Sequence, residues 1–241
     1  GLPAVVTIAL AIGTNRLAKR RAIVRQMPAI ETLGSVQYIL VDKTGTLTQN
    51  SMEVKASKVY KPADLSYLLQ ACILGNTATL VDKPDGKHDI VGDKTDGALL
   101  IWAKSQKQPT IAGKIVDEFV FDSDSKTVTT IWDDTKTHHV FVRGAPESIL
   151  EKSTLTKDQK EKVEKEFTEF ARKGLRVIAF GHKTTGKAKV TREEHEKELT
   201  FLGFVGLYDP PRPEAAQAIK DAHLAGITTI MVTGDNEITA L

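Results

Sequence analysis

Residues 36–48 constrain this chain more than any other stretch. Val36 and the compact run Tyr38-Ile39-Leu40-Val41 are apolar, the pattern of a strand buried in a parallel sheet. Asp42-Lys43-Thr44-Gly45-Thr46-Leu47-Thr48 follows at once. A carboxylate therefore stands at the carboxyl end of a strand, just ahead of a tight glycine turn. Open α/β sheets bind their ligands at that edge. A carboxylate there can act as a nucleophile and accept a phosphoryl group. The lysine, the threonine hydroxyls and the turn amides can hold phosphate oxygens and a magnesium ion. The plain alternative is a surface turn, since Asp and Gly both favour turns.

Thr44 sets the flavour of this chemistry. A second aspartate two places after the first could serve as general acid and base and hydrolyse an aspartyl phosphate quickly. Threonine cannot move that proton near neutral pH. An acyl phosphate on Asp42 is therefore expected to persist. That suits a device that changes shape before releasing phosphate, and does not suit a simple phosphatase.

A second strand with a similar ending lies near the end of the sequence. Asp209-Pro210-Pro211-Arg212-Pro213-Glu214 reads as a rigid, extended turn, because its prolines exclude helix before Pro213. The pattern then predicts a helix from about Pro213 to Ala225, with Ala215, Ala216, Ile219, Ala222 and His223 inward and Gly226 as its stop. Ile227–Val232 reads as a second buried strand, followed by Thr233-Gly234-Asp235. Thr233 can donate to a transferring phosphoryl oxygen and Asp235 can order the network around it. Either residue could also cap a helix, which is compatible with catalysis.

Between Asn50 and about Phe204 the pattern changes. Helices are expected over Asp64–Leu74, with Leu65, Leu68, Leu69 and Cys72 on one face, and over Thr95–Lys104, burying Ala98, Leu99 and Trp102. Strands are expected at Ile115–Phe121, Thr127–Trp132, His139–Val142, Leu175–Phe180 and Leu199–Val205. Thr156–Lys173 is the clearest helix: Thr156 and Gln159 form a capping box, Val163, Phe167, Phe170 and Ala171 a stripe, and Gly174 the stop. Several residues here could serve a nucleotide. The Phe121 ring could stack on a base, although ordinary strand core is the default reading. Lys126 could reach phosphates or be a solvated charge. Arg143-Gly144-Ala145-Pro146-Glu147 places a cation beside a glycine that permits close approach. Arg176 puts a guanidinium on a strand, suited to phosphate. No P-loop string is present. His138 and His139 point to opposite faces of a strand and carry no zinc spacing.

The first segment is different again. Leu2–Ile12 is almost wholly apolar but shorter than the ~20 residues a membrane-spanning helix needs. Arg16, Lys19, Arg20, Arg21 and Arg25 follow it with no acid before Glu31, the signature of the cytoplasmic end of a membrane helix. The remaining composition is that of a globular protein, with 241 residues and a net charge of +2. That balance argues against a nucleic-acid partner. One cysteine, Cys72, allows no internal disulfide and fits a reducing compartment. No signal peptide is evident.

The Asp42–Thr48 string resembles the phosphorylation signature of the P-type ATPases, and the later motifs follow in that family's order along the whole chain. The resemblance implies ATP and Mg2+ as cofactors. It implies a HAD-like parallel α/β phosphorylation domain, incomplete here, with an inserted α+β nucleotide-binding domain and a partial transmembrane helix in front. The expected boundaries are 1–30 for helix and stalk, 31–55 and 206–241 for the phosphorylation domain, and 56–205 for the insertion. By resemblance Phe121 stacks on adenine, Asp96 sits near its amino group, Lys126, Arg143 and Gly144 line the pocket, and Arg176 contacts phosphates. Asp209, Arg212, Thr233, Gly234 and Asp235 flank ATP. Asp42, Lys43, Thr44, Thr233 and Asp235 form the catalytic set, with magnesium on Asp42 and the Thr44 carbonyl. The family usually has Glu at position 96 and Lys at position 143, and some calcium pumps have Arg at position 123, so altered affinity is expected.

Gly1-Leu2-Pro3 resembles the helix break at the ion site of the calcium-pump branch, which makes calcium the expected cation. The family's later lysine and its Gly-Asp-Gly-x-Asn-Asp segment do not occur in the sequence, so this chain is expected to bind ATP without turning over. The full-length protein is expected to be a multi-pass membrane pump with most of this chain on the cytoplasmic side. A soluble aspartate-nucleophile phosphatase and a non-catalytic ATP-binding module are the alternatives.

Overall fold

The computed structural model describes residues 1–82, 88–106, 112–186 and 189–233. In chain order its elements are α1 (Leu2–Lys19), α2 (Pro28–Gly34), β1 (Tyr38–Asp42), β2 (Glu53–Val59), α3 (Asp64–Ile73), β3 (Thr79–Asp82), β4 (His88–Val91) and α4 (Lys94–Ser105). Next come β5 (Lys114–Asp122), β6 (Thr127–Asp133), β7 (His138–Gly144), α5 (Pro146–Glu151) and α6 (Lys157–Arg172). The last are β8 (Arg176–Thr185), α7 (Arg192–His195), β9 (Thr200–Tyr208), α8 (Ala215–Leu224) and β10 (Thr228–Val232). They fall into two compact units, Gly1–Leu47 with Pro211–Thr233, and Thr48–Pro210. The first crossing lies ahead of residue 55 because β2 already pairs with β9 in the larger unit.

In the smaller unit β1 and β10 pair in parallel, with Asp42 opposite Val232. The two motif-bearing strands thus end side by side. Both were expected to be buried. Instead Leu40 is 69% and Val232 49% exposed, because two strands and the single helix α8 cannot cover both faces of a sheet. On α8, Ala215, Ile219 and Ala222 are partly covered, while Ala216 and His223 are exposed. Pro3 sits in the first turn of α1 and Arg16 and Lys19 in its last, positions that proline and cations favour. Leu2, Val5 and Ile8 on α1 are exposed. No described helix is long and apolar enough to cross a membrane.

The larger unit is built on a six-stranded antiparallel sheet ordered β2-β9-β8-β7-β6-β5, with β3 and β4 as a separate hairpin. Strand alternation divides the core. Along β7, Phe141 packs with Leu68, Leu69, Cys72 and Leu99 under α3 and α4. Val140 and Val142 pack on the other face with Ile149, Val163 and Phe204 under α5 and α6. On α3, Leu68, Leu69 and Cys72 are buried as expected, but Leu65 is exposed. Trp102 of α4 is only partly covered. The α6 capping box forms, with the Thr156 amide donating to Gln159 and the Gln159 amide to the Thr156 hydroxyl. Gly174 follows the helix with φ of 73°, a left-handed geometry that glycine adopts without strain.

One buried polar cluster sits under α3. His139 Nδ1 lies 3.0 Å from His182 Nε2, and His139 Nε2 lies 3.2 Å from Asp134 Oδ2. The Tyr67 ring stacks on His182 at 4.2 Å between centroids. Burial, and then the neighbouring His139 imidazole, push His182 down to about 4. In the unfolded chain this group takes up its proton near the ordinary value of about 6.5. Its contribution to stability is therefore complete above about pH 6.5 and is lost as pH falls toward the folded value. Chemical denaturation should show a loss of about 2 kcal/mol between about pH 7.5 and about pH 5. His182→Phe should flatten that slope. An equal slope in the variant would show that other groups carry it.

Candidate functional site

A cavity of about 690 Å³ opens on the α3/α4 face of the larger unit. Asp96, Phe121, Lys126, Arg143, Gly144 and Arg176, six residues widely spaced in sequence, all line it. The fold gathers them from the start of α4, the end of β5, the β5–β6 turn, the end of β7 and the start of β8.

Arg143 is the structural centre of this wall. Its side chain is only 7% exposed, and Nη2 lies 2.9 Å from Asp96 Oδ1. The same nitrogen donates to Asp96 Oδ2 at 3.0 Å and to the Gly75 carbonyl at 2.9 Å. Nη1 donates to the Ala71 carbonyl. Asp96 is equally committed: Oδ2 accepts from the Thr77 amide at 2.9 Å and its hydroxyl at 2.8 Å. The α4 N-terminus positions this carboxylate, since Asp93 caps the helix by accepting from the Asp96 amide. Oδ2 thus takes three protein donors, while Oδ1 takes Arg143 alone.

Phe121 reaches the cavity through a break in strand regularity. Strict alternation puts Phe121 on the same side as Phe119, which packs against the α5/α6 core. The β5–β6 register shifts between Phe119 and Asp122, and such an irregularity re-aims a side chain. Phe121 is consequently 65% exposed and lines the cavity instead of packing as strand core. Arg192 of α7 braces the break. It donates to the Val120 carbonyl at 2.6 Å and to the Ser125 hydroxyl at 2.6 Å, and its guanidinium lies 5.5 Å from the Phe119 ring.

Gly144 is required by close approach. A Cβ there would stand 2.2 Å from the Lys126 carbonyl, which itself accepts from the Ala145 amide. This contact fixes the Lys126 turn against the end of β7. The exposed Lys126 side chain stands at the rim.

The other expected site residues lie elsewhere. Thr44 has φ −78° and ψ 120°, and Gly45 φ 79° and ψ −11°. These are the central angles of a type II turn, whose second position needs glycine. Arg212 Nη2 donates to the Gly45 carbonyl at 3.0 Å, and its amide donates to the Leu47 carbonyl. The Arg212 guanidinium therefore holds the turn that follows Asp42 and Lys43. Thr233 follows directly on Val232, the register partner of Asp42. Gly234 and Asp235 lie outside the described residues. Asp209 belongs to the larger unit, where it accepts from the Thr48 hydroxyl at 2.6 Å and the Ser51 amide. Sequence reasoning missed Thr77 and Glu118 in the cavity wall. Glu118 alternates with its strand neighbours, but nothing in that pattern distinguishes it from a solvated charge.

An antiparallel sheet bearing this cavity, inserted into a parallel unit with an aspartate at a strand end, defines an α/β protein with an α+β insertion. The profile described as P-type ATPase, cytoplasmic domain N, matches residues 64–214, and the chain belongs to that family. It is 34% identical to a calcium-transporting ATPase of Bacillus subtilis, covering 100% of this chain and 32% of the relative. It is 36% identical to calcium-transporting ATPase 1 of Saccharomyces cerevisiae, covering 100% and 30%. Against the cation-transporting ATPase pma1 of Synechocystis the identity is 37%, covering 100% and 31%. The chain thus spans about a third of the length of these curated relatives.

The wall can be tested through Arg143. Arg143→Met leaves the Asp96 carboxylate without its counter-ion and should destabilise the chain by about 3 kcal/mol in urea unfolding. A loss below about 1 kcal/mol would show a solvated pair that contributes little.

Proposed function

We propose that the chain is the central part of an ATP-driven cation pump that works through an aspartyl phosphate on Asp42. The observation that carries this reading is the strand-end geometry: Asp42 at the carboxyl end of a parallel strand, a type II turn after it, and Thr233 at the neighbouring strand end. Membership of the P-type ATPases supports it. Names of relatives such as those of B. subtilis and S. cerevisiae favour calcium as the cation.

The cavity of the larger unit takes ATP. Phe121 offers its ring to the adenine, and Lys126 and Arg176 face the phosphates. Asp42 attacks the γ-phosphorus in line: the Oδ–P bond forms, the bond from phosphorus to the β,γ-bridging oxygen breaks, and ADP leaves with that electron pair. Lys43 and the Thr233 hydroxyl stabilise the transferring oxygens. Arg212, through Gly45, keeps the turn from shifting under this load. Thr44 supplies no proton transfer, so the acyl phosphate outlives its formation.

A magnesium ion fits the donor set. The Asp42 carboxylate and the Thr44 carbonyl are hard oxygen ligands, the kind Mg2+ takes together with substrate phosphates. A type II turn closes through the carbonyl of its first residue, here Lys43, and leaves that of Thr44 outside its own hydrogen bond. When bound, the ion neutralises the charge that builds on the phosphate oxygens.

On this reading α1 continues a membrane helix, and its basic last turn marks the cytoplasmic end. The exposed apolar residues of β1 and β10 are covered by the rest of the pump. Two measurements test the proposal. In the complete protein, Asp42→Asn should abolish acid-stable phosphate incorporation from labelled ATP. Undiminished incorporation would remove Asp42 as nucleophile. In the full chain, Phe121→Ala should weaken ATP binding by roughly tenfold to a hundredfold, the worth of one base–aromatic stack, as read by titration calorimetry.

A further inference from the structure

Phe121 is held by its backbone more than by packing. It is 65% exposed, and β5 lies at the edge of the six-stranded sheet, with a neighbouring strand on one side only. The ladder to β6 also lapses at this point. Phe119 faces Thr129 and Asp122 faces Thr127, so Val120 and Phe121 together oppose Val128. One residue more on β5 than on β6 is a bulge, which interrupts the ladder and leaves a residue unpaired. Packing and ladder alike therefore leave open the direction in which Phe121 departs from the strand.

Arg192 supplies that direction. Its Nη2 donates to the Val120 carbonyl at 2.6 Å, and that carbonyl belongs to the planar peptide unit that ends on the Phe121 nitrogen. The orientation of this plane governs where the Phe121 side chain points. Nη1 donates to the Ser125 hydroxyl at 2.6 Å, so one guanidinium spans the bulge and the turn that follows it. The fork is itself fixed. Its side chain is 17% exposed, with the carboxylates of Asp122 and Glu196 at 3.8 and 3.9 Å. It stands over the Phe119 ring. Its helix α7 begins with a cap, the Thr191 hydroxyl accepting from the Glu194 amide. Hydrogen bonds from an ionised donor are shorter and stronger than neutral ones. Arg192 is outside the lining of the cavity.

We infer that Arg192 is a positioning residue for nucleotide binding, aiming the Phe121 ring into the cavity through the Val120–Phe121 peptide without touching the ligand. This rests on the proposal that the cavity takes ATP. A guanidinium that only stabilised the turn would change folding stability and leave binding by the folded chain as it was. A guanidinium that aims the ring makes its contribution to binding conditional on the ring being there.

The test is calorimetric titration of the full chain with ATP, for the parent, Phe121→Ala, Arg192→Met, Arg192→Lys and the double variant Phe121→Ala with Arg192→Met, each checked for folding by urea unfolding. Arg192→Met should weaken ATP by about tenfold and by no more than loss of the ring does. Added to Phe121→Ala, it should weaken ATP by less than about twofold further, since residues that act as one are not additive. Arg192→Lys keeps a cation beside Asp122 and Glu196 but lacks the planar fork that spans two acceptors, and should weaken ATP by about threefold or more. The lysine variant takes the place of the methionine variant throughout if the latter does not fold. Unchanged ATP binding in a folded Arg192 variant would overturn this inference and leave the ATP site standing. An equal loss with and without Phe121 would do the same. Absence of ATP binding in the parent would instead overturn the ATP reading itself.

Discussion

The guanidinium of Arg143 is the tie on which the larger unit's site depends. It joins four pieces of chain: β7 of the sheet, the Ala71 carbonyl near the end of α3, the loop at Gly75, and Asp96 at the start of α4. A buried charge is costly unless paired and fully hydrogen-bonded, so this arrangement tolerates little displacement of any of the four. The planar fork of arginine suits it, because its donors lie in a fixed plane aimed at several acceptors at once. The short aspartate arm fits the same geometry. From there Asp96 reaches both Arg143 and Thr77.

The second constraint is the irregularity in β5. A regular strand would deliver Phe121 to the wrong side of the sheet. The shift between Phe119 and Asp122 is secured from the far face, where Arg192 holds the Val120 carbonyl and the Ser125 hydroxyl. Arg192 in turn lies beside Glu196, a buried carboxylate that accepts from the Thr127 and Thr129 hydroxyls and pairs with Lys152. A polar network on one face of the sheet thus sets a ring on the other. Such networks are rigid only when every member is satisfied, which gives the four groups around Glu196 a role in site geometry without contact with the cavity.

These two constraints also explain what the sequence could and could not say. Local signals read through. The Thr156/Gln159 capping box, the glycine after α6 and the helical stripe at Leu68, Leu69 and Cys72 each involve neighbours within a few residues, and all appear in the structure. The strand–Asp42–glycine-turn pattern was legible for the same reason. Phe121 was placed only by the family resemblance and not by strand periodicity, because the register break arises from pairing with β6 and bracing from α7. The place of Glu118 in the cavity wall was not legible, because strand alternation alone does not distinguish a wall carboxylate from a solvated one. Burial of β1 and β10 was overestimated because apolar composition reports what a strand needs, and the coverage of a sheet depends on how many elements surround it.

On the proposed function, phosphoryl acceptance at Asp42 and base binding in the cavity make opposite demands on the chain. A base-binding wall needs fixed side chains, and the antiparallel sheet with helices on both faces provides them. A phosphoryl acceptor needs an exposed oxygen at a strand end with backbone amides free to meet phosphate, which an interior strand of a packed sheet cannot offer except at its terminus. Glycine at position 45 permits the turn, and Arg212 stiffens it by binding the Gly45 carbonyl from a segment 167 residues away. That long-range bond links the strand's exit to the point where the chain returns from the larger unit. Gly45 and Arg212 both belong to the smaller unit, so this bond closes that unit on itself across the whole length of the insertion.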